Sequence, residues 1–195
     1  MAECVGHFSY IKLVVPVFHI GYFKHTIMML QDICKSCSAI LMTVEDKRKY
    51  LILFRKPGLE NMRRQKLAKD VNKLCRKAIE CPHCGEINGT VKKVGGMKII
   101  HEKWRAKRVA QDRKRFENSF NAALEDARDL KIHLPKAQED LNPLKVLSLF
   151  SKITSTDCEL LGLDPDVGRP EEFLWQYVPV PPVCIRPSVS QEAAT

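Results

Sequence analysis

The chain has 195 residues, 45% of them hydrophobic, and 32 Lys and Arg against 23 Asp and Glu give a formal net charge of +9. That is apolar material for one or two modest cores, and the absence of any run of about eighteen apolar residues excludes a spanning helix. The charge is uneven: residues 46–115 carry 22 Lys and Arg against 7 Asp and Glu, a net of +15, and the rest of the chain carries −6, a pattern that points to a polyanionic partner.

Phe8 to Val15 reads as a strand of aromatic and β-branched residues, ended by Pro16. Val17 to Ile33 spaces Phe18, Tyr22, Phe23, Ile27, Leu30 and Ile33 at helical intervals, predicting a largely buried helix that delivers Cys34. Thr43 followed by Asp46 is a capping-box start for a short helix to about Arg55, and Pro57-Gly58 breaks it. From Leu59 to Ile79 a second helix is expected, with Leu59, Met62, Leu67, Val71, Leu74, Cys75 and Ala78 on one stripe. Val91–Val94 and Met97–Ile100 form a hairpin about Gly95-Gly96. Lys103 to Leu130 reads as a long charged helix, basic first and acidic later. Leu144–Ile153 and Thr156–Leu163 are short helices, the second capped by Ser155 or Thr156. After Pro165 the chain turns extended. Val178 to Ser188, with four prolines, is expected to be a strap without sheet or helix, poorly anchored, and Ser188 to Thr195 a frayed end.

Eight cysteines are many for a chain of this size. Cys34-Lys-Ser-Cys37 and Cys81-Pro-His-Cys84 are two Cys-x-x-Cys pairs, which together offer four thiolates to one tetrahedral zinc. Gly85 after the second pair suits a sharp turn. Forty-three residues separate the pairs, more than a compact zinc ribbon holds, so the metal would staple distant segments around an insert with structure of its own. The alternatives are ordinary buried cysteines or disulfides. No secretory signal is visible, and reduced thiols are therefore expected. His83 lies inside the second pair, but the spacing favours Cys84 as ligand. Cys75 reads as core. Cys158 and Cys184 are isolated, and burial is the expected role for both. His19 is expected to hydrogen-bond locally, and His25, His101 and His133 show no partner pattern.

Several segments are ordered like those of one family. They are Cys4-Val-Gly-His7-Phe-Ser-Tyr-Ile, Pro16-Val-Phe-His19, Ile33-Cys-Lys-Ser-Cys37, Leu74-Cys-Arg-Lys, Cys81-Pro-His-Cys84-Gly and Asn88-Gly-Thr-Val-Lys-Lys. Leu141-Asn-Pro143, Val146-Leu-Ser-Leu-Phe150 and Val180-Pro-Pro-Val-Cys-Ile-Arg-Pro-Ser188 follow. Together they resemble the N-terminal zinc region of the largest subunit of multisubunit DNA-directed RNA polymerases, and the last segment looks most like the RNA polymerase III version. The resemblance covers nearly the whole chain. It implies the clamp, a module that closes over template DNA and the RNA–DNA hybrid, works beside other polymerase subunits in the nucleus, and is held by two zinc ions.

One zinc of that family uses two Cys-x-x-Cys pairs, matching Cys34, Cys37, Cys81 and Cys84. The other uses an upstream pair plus a later Cys and His, of which only Cys4 and His7 match. The chain is therefore expected to be a fragment of a longer subunit, with Met1 once internal, a remnant half-site at Cys4 and His7, and one structural zinc. Ser9 and Lys12 also depart from the family's usual glycine and acidic residue. The family's catalytic magnesium is held by an aspartate triad in the remainder of the subunit, and no Asp-x-Asp-x-Asp occurs here. Asp164-Pro-Asp166 is only a turn. The chain would belong to a nucleotidyltransferase and be inactive alone.

The resulting expectation is an α+β fold, mostly helical: a zinc-stapled clamp module with a short β-hairpin and a Pro-rich extended C-terminal strap. Residues 1–165 would form the zinc region, with a basic helical insert at 43–80, and residues 166–195 the strap and frayed end. Aromatics in the basic stretch are few (Tyr50, Phe54, Trp104), so phosphate contact is expected in place of base stacking. Arg63, Arg64, Lys66, Lys69, Arg105 and Arg108 are the candidate contacts. A free-standing zinc-dependent nucleic-acid-binding or protein-docking module is the alternative reading. A metalloenzyme is disfavoured because four thiolates leave no open position on zinc.

Overall fold

The computed structural model describes residues 6–102 and 138–186, with positions 118, 121, 122, 125, 127 and 129 between them. Cys4, Trp104, Arg105, Arg108, His133 and the expected frayed end lie outside the described residues. So does the expected helix from Lys103 to Leu130, apart from those isolated positions. No helix among the described residues is long and apolar enough to cross a membrane.

The first strand, β1 (Ser9–Phe18), does not stop at Pro16. It pairs antiparallel with β5 (Leu174–Val180), Ser9 opposite Val180 and Phe18 opposite Leu174. Between Lys12 and Val17 the register slips: four residues of β1 face only Gln176. Pro16 sits in that bulge, where its missing N–H costs no ladder bond. The strap is therefore partly a strand. Pro179 is tolerated because a two-stranded ribbon is all edge. Short 3-10 helices at Pro170–Phe173 and Val183–Ile185 flank it.

Because β1 runs on, the expected helix from Val17 is shorter. A 3-10 turn at Ile20–Tyr22 opens on His19, whose Nδ1 accepts from the Gly21 N–H at 3.0 Å. Then α1 (Phe23–Asp32) buries Phe23, Thr26, Met29 and Leu30. The cap predicted at Thr43 forms, with the Asp46 carboxylate accepting from the Thr43 hydroxyl. The same hydroxyl oxygen accepts from the Asp46 N–H and heads α2 (Val44–Phe54). Next comes α3 (Asn61–Cys75), shorter than expected at both ends. Its inner face is Ala68, Val71 and Cys75, whereas Met62 (83% exposed) and Leu74 (36%) look outward.

The hairpin is β2 (Thr90–Val94) and β3 (Lys98–Glu102), closed by Gly95, Gly96 and Met97. A further short strand, β4 (Glu139–Asp140), pairs with β3 and makes a three-stranded sheet. It is followed by α4 (Pro143–Phe150), capped by Asn142, and α5 (Ser155–Leu160), capped by Thr154 one residue before the expected position. Among the described residues the architecture is a mixture of helices and small sheets.

One core joins these pieces. Leu30, Ile33, Ile40, Val71, Val146, Phe150 and Leu160 are all fully buried within it, each worth roughly 1.5–3 kcal/mol of transfer free energy. Polar ties orient α2 on α5. The Lys47 ammonium donates to Asp157 Oδ1 at 3.0 Å, and the Ile40 N–H donates to Oδ2 of the same carboxylate at 3.3 Å. At the other end Arg55 grips Glu159 through two bonds of 2.7 and 2.8 Å, on the exposed surface.

Asp157→Ala is expected to destabilise the chain by about 3 kcal/mol, because it strands a largely buried ammonium and a buried N–H. Urea denaturation measures this. The exposed Glu159→Ala is expected to produce a far smaller change.

Candidate metal centre

Two loops of nearly identical construction carry the four spaced cysteines. In the first, Ile33 bridges Ile40, the Cys34 N–H donates to the Ala39 carbonyl at 2.9 Å, and the Ser38 N–H donates to the Cys34 carbonyl at 3.0 Å. In the second, Glu80 bridges Ile87, the Cys81 N–H donates to the Glu86 carbonyl at 2.9 Å, and the Gly85 N–H donates to the Cys81 carbonyl at 2.9 Å. The leading sulfur of each loop also accepts a backbone N–H: Ser36 to Cys34 and His83 to Cys81, both at 3.4 Å.

The turn requires a left-handed residue straight after the second cysteine. Gly85 supplies it at φ +70, and Ser38 supplies it at φ +63. Glycine adopts this conformation without strain, and serine does not. Ser38 is also fully buried, and its hydroxyl has no hydrogen-bond partner among the described residues.

The loops face each other. Cys34, Cys37, Cys81 and Cys84 bring their sulfurs within 4.8 Å of one another. Cys34 lies 3.6 Å from Cys84, and Cys37 lies 3.7 Å from Cys81. A disulfide needs about 2.05 Å, so these are not bridged pairs. A tetrahedron with zinc–sulfur bonds of about 2.3 Å has edges of about 3.8 Å, close to these two separations, and the remaining ones lie within 4.8 Å. The residues present therefore fit one zinc ion. His83 contributes its backbone to Cys81 and is not in the cluster, as the spacing predicts.

The electrostatics agree. Burial works to raise the Cys34 thiol, but N–H donors from Cys37, Asn88 and Ser36 bring it down to about 7. Burial and the neighbouring sulfurs push Cys37 up to about 12. One thiolate is stabilised, and further negative charge in the cluster is resisted, a conflict that a central cation removes.

The remaining candidates divide. His7 is exposed. Cys75 and Cys158 are buried as expected, whereas Cys184 is exposed and not buried, since it sits in the short 3-10 turn after β5. Arg63, Arg64, Lys66 and Lys69 all lie on α3. Arg63, Lys66 and Lys69 are exposed, while Arg64 is half-buried; the Glu159 carboxylate is held below its usual range chiefly by its hydrogen bond from Arg55, with a smaller pull from the charge of Arg64. On the hairpin Lys92 and Lys98 are engaged by Glu102 and Asp140, and Lys93 sits 5.5 Å over the Phe23 ring.

Four polar residues near the centre were not among the candidate site residues, although Asn88 opens one of the segments that resemble the family. Asn88, His101 and Glu139 buttress the second loop. Asp32, at the end of α1, is 2% exposed and accepts from Asn72 Nδ2 at 2.7 Å. Burial pushes its carboxyl from 3.8 up to about 7, against the pull of Asn72, Lys35 and Arg76.

The model of RNA polymerase Rpb1, domain 1, matches residues 1–195. This chain belongs to that family. It is 56% identical over 196 residues to DNA-directed RNA polymerase III subunit rpc1 of Schizosaccharomyces pombe, covering 100% of this chain and 14% of the relative. Subunit RPC1 of Saccharomyces cerevisiae is 46% identical over 202 residues, with 98% of this chain and 14% of the relative covered. For Homo sapiens RPC1 the figures are 44% over 191 residues, 97% and 14%. The resemblance read from the ordered motifs is thus borne out over the whole chain, which spans about one seventh of the length of these relatives.

Gly85→Ala is expected to weaken the fold by about 1 kcal/mol from backbone strain alone, since a Cβ there meets nothing within 4 Å. Ser38→Gly is expected to raise the thermal midpoint, because it relieves the strained φ and removes a buried unpaired hydroxyl. Asp32 gives a pH signature. Its folded value lies above its unfolded one, so the stability it contributes is full below about pH 4 and is lost as pH rises through about 7. In excess zinc, the urea midpoint of the wild type is expected to fall between pH 5 and pH 7.5 relative to that of Asp32→Asn. Parallel profiles would show that Asp32 does not titrate in this range.

Proposed function

We propose that this chain serves as the clamp part of an RNA polymerase III largest subunit, in the nucleus, beside other polymerase subunits. One zinc held by Cys34, Cys37, Cys81 and Cys84 fixes the base of the basic insert, so that the insert can meet DNA and the RNA–DNA hybrid. The observation that carries this reading is the convergence of four sulfurs at tetrahedral spacing, in a chain 56% identical along its whole length to an RNA polymerase III subunit. On this reading residues 1–165 form the zinc region with its insert at 43–80, and residues 166–195 form the strap.

The donor set determines the kind of work done. Four thiolates close the coordination sphere, so a zinc bound there supplies structure and presents no site for a substrate. Nucleotidyl transfer belongs with a magnesium triad that the sequence does not encode. The chain's own part is then placement and charge. Arg63, Lys66 and Lys69 present three exposed cations from α3, suited to phosphate contact without base readout. Arg64 adds to the field from the edge, shared with Glu159. Arg105 and Arg108 complete the candidate set.

Metal analysis of the purified chain is expected to give one zinc per chain, lost in Cys81→Ser; none would overturn the zinc assignment, and two would overturn the reading of Cys4 and His7 as a remnant half-site. Binding to duplex DNA is expected to weaken steeply with salt and to show little sequence preference. The triple variant Arg63→Ala, Lys66→Ala, Lys69→Ala is expected to lower the magnitude of the salt slope by roughly one for each cation that neutralises a phosphate. An unchanged slope would remove α3 from the interface. Co-purification with polymerase subunits supports the clamp reading, whereas a chain that binds DNA and joins no polymerase would favour a free-standing module.

A further inference from the structure

Asn88 is 4% exposed, and its side-chain amide reaches both cysteine loops. In the first loop, its Oδ1 accepts from the Lys35 N–H at 3.2 Å. In the second, its Nδ2 donates to the Glu86 carbonyl at 3.1 Å. The same Nδ2 lies 3.5 Å from the sulfur of Cys34, within reach for an N–H to sulfur bond. The backbone holds the residue in place, its N–H donating to the Ile79 carbonyl at 2.7 Å.

The tether extends outward. The Gly89 N–H donates to His101 Nε2 at 3.0 Å. A ring nitrogen that accepts carries no proton, so the proton of a neutral His101 sits on Nδ1. That nitrogen faces Glu139 Oε2 at 3.1 Å, and Glu139 is held in turn by Lys145. The strand β4 and the first turn of α4 thereby brace the segment that carries Asn88.

The chemistry of the amide suits this position. Four thiolates on one divalent cation leave the centre with excess negative charge, and an N–H aimed at sulfur draws some of it off. Accepting from Lys35 while donating to Cys34 and Glu86 requires an acceptor and a donor on one short side chain. Asparagine provides both. Aspartate, of the same shape, offers no donor and would set a carboxylate against the thiolate.

We propose that Asn88 is a positioning residue of the metal centre. Its single amide locks the two cysteine loops together and donates to Cys34, and so sets how tightly the ion is held. This rests on the reading of the four cysteines as a zinc site.

The test uses the whole chain, as wild type, Asn88→Ala and Asn88→Asp. Zinc affinity is measured by competition with a chromophoric chelator, and the cobalt-substituted forms are characterised by absorption spectroscopy. Affinity is expected to fall about 10- to 100-fold in Asn88→Ala and further in Asn88→Asp, with the sulfur-to-cobalt charge-transfer band displaced in both. The aspartate variant preserves side-chain shape and keeps the measurement open where the alanine variant does not fold. Wild-type affinity in both variants overturns the proposal. A loss of affinity with the cobalt band unmoved also overturns it, since Asn88 would then only fill space. A wild type that shows no four-thiolate cobalt spectrum would defeat the zinc reading itself, a separate outcome.

Discussion

Everything in this fold is arranged around the meeting of two backbone loops that the sequence holds forty-three residues apart. Each aims a buried and an exposed sulfur at one point. Without a cation, burial and then the crowding of neighbouring sulfurs oppose ionisation and push the Cys37 thiol up. With one, the same crowding becomes the ligand set, and the free energy of metal binding becomes folding free energy. The core then has only modest work to do. It fastens α1 to α3 through Asp32 and Asn72, and α2 to α5 through Lys47, Arg55 and their carboxylates. Asp32 stands two residues before Cys34, and Asp157 takes the N–H of Ile40 just after the first loop.

This coupling explains why so basic an insert can be ordered. The helix α3 carries Arg63, Arg64, Lys66, Lys69, Asp70 and Lys73, and its buried stripe is only Ala68, Val71 and Cys75 with Leu67 beside it. Such a helix is weak on its own. Anchored at its C-terminal end beside the second cysteine loop, it can leave Arg63, Lys66 and Lys69 in solvent. The hairpin, beyond the insert, engages its own Lys92 and Lys98 with carboxylates, whereas Arg63, Lys66 and Lys69 on α3, like Arg48 and Lys49 on α2, are exposed.

Local chemistry is legible in the sequence, and distant pairing is not. The Thr43 cap, the glycine turn of the hairpin and each Cys-x-x-Cys pair depend on residues a few places apart, and the structure forms them. Sequence alone ends β1 at Pro16 because its partner lies about 160 residues on, and only β5 shows that the proline falls in a bulge. For the same reason the Pro-rich segment reads as a loose strap. Asn88 stands in a segment that resembles the family but carries no sign of its contacts, and His101 and Glu139 carry no motif, since these roles exist only once Lys35, Cys34 and Gly89 have been brought beside them. Ser38 shows the converse. Its place after the second cysteine is that of Gly85, but serine gives no hint of a left-handed backbone.

The β1–β5 ribbon has a mechanical consequence. Ser9 faces Val180 at one end, and Phe18 faces Leu174 at the other, so the chain enters and leaves the module at the same end of one ladder. Tension on the two flanking segments would load the rungs one at a time, peeling them instead of shearing them together. A ladder loaded that way yields at low force, and the bulge at Pro16 divides it into two short zippers. The ribbon is thus the compliant edge of the module, fastened to the core where Phe18 and Leu174 are buried.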